Sequence, residues 1–143
     1  MRIAVVVAQF NAFVTTRLRD GAMAQLREAG LAAADVTVID VPGAFEVPQM
    51  ARRLADTGQY DGVVCLGCLI RGATPHFDYI ASAVAHGITA AALESGVPMS
   101  FGVLTTNSAE EALERAVEGP SNKGREAAQA VIDMARAYEG LRS

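Results

Sequence analysis

The run Gly62-Val63-Val64-Cys65-Leu66-Gly67-Cys68-Leu69-Ile70 contains no charged or strongly polar side chain. A strand exposes alternate residues to opposite faces, so a run without alternation predicts a strand buried on both sides. Such strands belong to sheets covered by helices above and below. The run empties into Arg71-Gly72, and Thr74-Pro75 then predicts a helix start, with Thr74 as N-cap and Pro75 in the first turn. His76 thereby falls on the first turn, just past the carboxyl end of a buried strand, the edge where ligands bind in open α/β sheets. Free N–H groups and the helix dipole make that place attractive to an anion. A titratable imidazole there is a reaction-site candidate, although a histidine facing water at a helix start has the same spacing.

The remaining chain repeats the pattern. Arg2 to Ala8 reads as a buried strand ending at Gln9-Phe10-Asn11, followed by a helix from about Ala12 to Ala29. Val14, Leu18, Ala22, Leu26 and Ala29 form its inward stripe, and Gly30 stops it. A second strand, Val36 to Asp40, runs into Val41-Pro42-Gly43-Ala44-Phe45-Glu46-Val47-Pro48. A helix to about Asp56 follows, using Met50, Ala51 and Leu54 as its buried side. The helix predicted from Pro75 to about Ser95 is apolar nearly all round. Ile80, Val84, Ile88 and Leu93 are therefore expected to need a second subunit as cover, with His86 on the helix surface or in that interface. The fourth strand spans Met99 to Leu104. Ser108 and Glu111 form a capping box for a helix that carries Arg115 and ends near Gly119-Pro120. A last helix from about Asn122 shows Ala127, Val131, Met134 or Ala135, Tyr138 and Leu141 at helical spacing. The order βαβαβαβαα predicts a parallel sheet with helices on both faces.

Composition narrows the class. With 143 residues, one domain covering 1–143 is expected. The hydrophobic fraction is 51% before the 13 glycines are added, a surplus that implies surface buried between subunits. No apolar run reaches the ~18 residues of a membrane span. The net charge of −4 and the lack of a basic stripe argue against nucleic acid as a partner. Met1-Arg2 leads into the first strand without a signal-peptide pattern, and the two cysteines fit a reducing setting, so a cytoplasmic location is expected. Cys65 and Cys68 are formally a C-x-x-C pair, but residues three apart on a strand face opposite ways. They are read as core cysteines, with no metal site. Neither a G-x-G-x-x-G turn nor a Walker lysine loop is present, which disfavours NAD or ATP chemistry.

Two residues stand out at strand ends. Phe10 is an aromatic where ligands sit, though it also suits packing of the strand–helix turn. Glu46 lies with Phe45 in a turn stiffened by two prolines and a glycine; the pair looks buried, and Glu46 equally suits a helix N-terminus.

Taken together, Gln9-Phe10-Asn11, Val41 to Pro48, Ile70 to Tyr79, Phe101-Gly102-Val103-Leu104-Thr105-Thr106 and Asn122-Lys123-Gly124 resemble the lumazine synthase family, in order and across essentially the whole chain. The resemblance implies an α/β three-layer flavodoxin-like fold with a four-stranded parallel sheet, pentameric rings or multiples of them, and no cofactor or metal. The implied reaction joins 5-amino-6-(D-ribitylamino)uracil to 3,4-dihydroxy-2-butanone 4-phosphate in riboflavin biosynthesis. By the same resemblance Phe10 stacks on the pyrimidine, and Ala44, Phe45 and Glu46 line the ribityl and pyrimidine pocket. Cys68, Leu69 and Ile70 read the uracil through main-chain groups. Ala73 and Thr74 hold the phosphate, and His76 moves protons. Phe101, Arg115 and Lys123 come from the neighbouring subunit, with Arg115 on the phosphate.

Two features depart from the family pattern. Shell-forming members usually carry a basic linker without proline before the last helix, where this chain has Pro120, which is expected to change that helix's angle. Many relatives also carry an N-terminal extension, whereas this sequence starts on its first strand. Rival readings are a flavin- or lumazine-binding module without activity, a scaffold with a decayed site, and the fold-related archaeal type of riboflavin synthase. Incubation with the lumazine alone separates the last, since only a riboflavin synthase would yield riboflavin.

Overall fold

The computed structural model describes residues 1–142. Strand β1 (Ile3–Ala8) is followed by α1 (Ala12–Glu28), β2 (Val36–Val41), α2 (Val47–Asp56), β3 (Gly62–Ile70), α3 (His76–Ser95), β4 (Met99–Thr106), α4 (Ala109–Arg115) and α5 (Lys123–Gly140). The strands form one parallel sheet in the order β2-β1-β3-β4. This is the predicted four-stranded α/β architecture.

Alternate residues of the central strands feed two separate cores. Ile3, Val5 and Val7 of β1 with Val64 and Leu66 of β3 pack under α1, α4 and α5. Ala4, Val6 and Ala8 with Val63 and Cys65 pack under α2 and α3. Cys65 and Cys68 accordingly lie in opposite cores, both reduced and buried, as the strand period requires. The stripe Val14, Leu18, Ala22 and Leu26 of α1 is fully buried, and α5 packs beside it through Ala127, Ala128, Val131 and Ile132.

Some local expectations are corrected. Thr74 makes no cap: α3 begins at His76, and Pro75 precedes it with no side-chain hydrogen bond to the helix. Phe45 is 49% exposed, because the 3-10 turn Ala44–Glu46 buries Ala44 instead. On α3, Val84 and Ile88 are covered by the chain's own sheet and Ile80 partly so. Of the four residues expected to need a partner, only Leu93 stands clear, at 79%. His86 is exposed on that same outer side. On α5 the inward position is Ala135, while Met134 and Tyr138 face outward and Leu141, just past the helix end, is exposed. Pro120 lies between α4 and α5. It occupies a turn closed by Asn122 N–H donating to Gly119 C=O at 3.1 Å, where the fixed φ of proline is accommodated. The capping box forms with a one-residue offset. Ser108 Oγ accepts from Glu111 N–H at 3.1 Å, and the Glu111 carboxylate accepts from Asn107 N–H at 3.2 Å.

Candidate active site

The strands all run parallel, but the order in which they are added reverses between β1 and β3, since β2 lies outside β1 and β4 outside β3. The carboxyl ends of strands flanking such a point leave a crevice, because their following loops diverge. A hollow of about 410 Å3 opens there, lined among others by Phe10, Asn11, Ala44, Ile70, Thr74 and His76.

Its floor follows from unequal strand lengths. Pairing of β3 with β1 stops at Leu66, whereas pairing with β4 continues to Ile70. The last residues of β3 therefore have one unpaired edge. Asn11 Nδ2 donates to the Cys68 carbonyl across that gap at 2.9 Å. Arg71 N–H donates to Thr106 C=O on the β4 side at 2.8 Å. Backbone groups alternate sides along a strand, so Ile70 turns its N–H and C=O toward the hollow, as Cys68 does its carbonyl. Cys68 and Leu69 complete this wall.

The other wall is the β1–α1 turn. Gln9 and Phe10 N–H groups donate to Val41 and Pro42 carbonyls at 2.8 and 3.0 Å, continuing the ladder past the end of β1. Asn11 then takes a left-handed backbone, φ 63 and ψ 44, and starts α1. This reversal leaves Phe10 69% exposed beside the hollow. A large apolar ring held in water on a braced backbone is available for stacking. At the mouth stands the start of α3. Asp78 and Tyr79 N–H groups both turn back to the Pro75 carbonyl, at 3.0 and 3.4 Å. Arg71 braces this turn: its guanidinium donates to Asn107 Oδ1 at 3.1 Å, pairs with Asp78, and lies 4.5 Å from the Phe77 ring centre.

Of the site residues that the resemblance implies, Phe10, Ala44, Cys68, Leu69, Ile70, Thr74 and His76 line this one hollow. The other candidates do not enter this hollow within one chain. Phe45 and Ala73 are exposed and do not line it. Glu46 lines a shallower depression with Gln49 and Arg53. Phe101 and Lys123 border a separate hollow between β4 and α5. Arg115 ends α4, its Nη1 donating to the Glu111 carbonyl at 3.0 Å. Asn11, Gly43, Gly72, Phe77 and Ile80 also line the hollow and are not among the expected site residues. The position of Asn11 directly after a strand was the available signal, since Asn tolerates the left-handed backbone such a reversal needs.

Among the described residues no cluster of His, Cys, Asp and Glu side chains converges as a metal site. No described helix is long and apolar enough to cross a membrane. Burial pushes the Cys65 thiol up to about 12 and the Cys68 thiol up to about 11, so neither is a ready nucleophile.

A switch-point crevice with an exposed aromatic, an open strand edge and a histidine at a helix start is the ligand crevice of an open α/β fold. The family model for 6,7-dimethyl-8-ribityllumazine synthase matches residues 1–139. Proteins of that name from Nitratidesulfovibrio vulgaris strains DP4 and Hildenborough are each 46% identical over 141 residues, covering 99% of this chain and 90% of theirs. The chain belongs to the 6,7-dimethyl-8-ribityllumazine synthase family. It is a transferase of riboflavin biosynthesis that condenses 5-amino-6-(D-ribitylamino)uracil with 3,4-dihydroxy-2-butanone 4-phosphate.

Proposed function

We propose that the switch-point hollow is the uracil site and that the start of α3 holds the phosphate of the second substrate. The observation that carries this is the open edge of β3 facing Phe10 across the hollow. A uracil edge offers both donors and acceptors, and Ile70 presents one main-chain group of each kind. Phe10 covers the ring face, while Ala44 is small enough to leave the floor open. Glu46 and Phe45 reach the ribityl chain from the rim. Ala73, Thr74 and the first-turn N–H groups of α3 receive the phosphate.

The substrate amine attacks the ketone carbon, and the resulting carbinolamine loses water to form an imine. Phosphate then leaves with the C–O bonding pair, a proton having been lost from the adjacent carbon. The enol so formed takes a proton on its terminal carbon and becomes a ketone, which the second nitrogen attacks to close the ring with loss of water. His76 stands at the mouth, where it carries these protons between carbon, oxygen and solvent. The condensation exchanges no electrons with an external carrier, so the reading includes no cofactor. Holding two reactive partners in register supplies much of the rate.

In the same reading the chain works as one catalytic domain in the cytoplasm and assembles into a homopentamer or a multiple of it. A neighbour contributes Phe101, Arg115 and Lys123. Support comes from the large apolar side chains left in water, including Phe10, Phe13, Phe45, Tyr79, Leu93 and Phe101. The planar fork of Arg115 matches a phosphate. The experiment is to mix enzyme with both substrates and follow the lumazine chromophore. Its appearance must depend on the butanone phosphate, and incubation with the lumazine alone must yield no riboflavin.

A further inference from the structure

Asn122 is 1% exposed and precedes α5. Its side-chain oxygen accepts from the N–H groups of Gly124 and Arg125 at 2.8 and 3.1 Å. That half of the amide is a helix cap, which Ser or Asp could supply equally well. The other half is a donor. Nδ2 lies 3.1 Å from both the Ala116 and Val117 carbonyls and 3.3 Å from the Arg17 carbonyl. Two N–H groups serve three acceptors, so at least one is shared. The neighbours leave room for nothing else: a Cβ on Gly21 would collide with the Asn122 amide, and one on Gly124 with the Leu18 carbonyl.

This donor half binds the end of α4 to α1 at Ala116, directly after Arg115, while the acceptor half fixes the first turn of α5, where Lys123 stands. Arg115 is held by its own helix through the Glu111 carbonyl, so its guanidinium moves with the end of α4. We propose that Asn122 is a positioning residue for the phosphate-bearing substrate, setting where Arg115 and Lys123 project toward the neighbouring site. The inference rests on the reading of Arg115 as a phosphate ligand. Displacements on the order of 1 Å far from the chemistry can cost ~10²-fold.

The test uses Asn122→Ser, which keeps a capping oxygen and replaces the two amide donors by one shorter hydroxyl, with Asn122→Asp, an acceptor only, as a second variant of the same logic. KM for the butanone phosphate is expected to rise about tenfold or more, with the uracil KM within about twofold and sedimentation unchanged. In an Arg115→Ala background, Asn122→Ser should add less than about twofold to the butanone phosphate KM, because its effect travels through Arg115. Equal rises for both substrates, additive effects in the double variant, or failure of both variants to assemble would make Asn122 a folding determinant only and overturn the inference. If Arg115→Ala alone leaves the butanone phosphate KM unchanged, the phosphate assignment falls and this inference falls with it. If Arg115→Ala raises that KM and Asn122→Ser does not, only the inference is overturned.

Discussion

Asn11 joins the two central strands at the floor of the hollow, and its replacement separates backbone from side-chain contributions. Asn11→Ala removes the 2.9 Å bond to the Cys68 carbonyl, leaving a part-buried acceptor unpaired. That loss costs ~1–3 kcal/mol. Alanine must also hold φ 63, a conformation that costs an ordinary side chain roughly 1–2 kcal/mol. The sum is ~2–5 kcal/mol. Asn11→Gly loses the same bond without the left-handed penalty, and adds only ~0.4–1 kcal/mol of unfolded-state entropy. Glycine should therefore be the milder change, by roughly 1 kcal/mol. Urea unfolding at one fixed subunit concentration measures both, since assembly shifts apparent stability. Both variants should also raise the KM for the uracil, because Phe10 is the adjacent residue. Equal destabilisation by Ala and Gly would refute the backbone argument. Stability within ~0.5 kcal/mol of the parent in both would show that the Cys68 carbonyl does not depend on Asn11.

His76→Ala should lose ~10²–10⁴-fold in kcat and keep measurable turnover, since proton transfer is only part of the catalysis; complete loss in an assembled variant would contradict this. Arg115→Ala should weaken the butanone phosphate and leave uracil affinity nearly intact, measured by separate titrations, and equal weakening would assign Arg115 to the interface instead. Sedimentation at low concentration should show a ring of about five subunits or a multiple of it, and an active monomer would refute the shared site. The native state keeps the Cys65 and Cys68 protons up to about 12 and about 11, where the unfolded chain releases them near 9.0. Their contribution is therefore whole below the unfolded value and declines as pH rises through 9 toward 11–12, by on the order of 1.4 kcal/mol per pH unit for each thiol. A Cys65→Ala/Cys68→Ala variant should lose that alkaline slope in urea midpoints, and an unchanged slope would refute it.

Several parts of this molecule were legible in the sequence because their causes are local. The unalternating run Gly62–Ile70 could only be a doubly covered strand, and the 3.6-residue spacing of Val14, Leu18, Ala22 and Leu26 could only be one buried helix face. The opposite facing of Cys65 and Cys68 needed no more than the strand period. That Phe10, Cys68, Leu69, Ile70, Thr74 and His76 belong to one place came from family motifs, which carry information that periodicity lacks. Other features depend on contacts between distant segments. Periodicity made α3 look apolar all round, but it could not say that the sheet covers Val84 and Ile88 while Leu93 stays in water. Thr74 has the chemistry of a cap, yet the turn after β3 makes His76 the first helical residue. The open edge of β3 exists only because β1 stops earlier, and the left-handed Asn11 and its bond to Cys68 follow from that mismatch. Strand order, register and helix exposure are set by pairings across the chain, whose free energy depends on which surfaces meet and not on the spacing of residues along one segment.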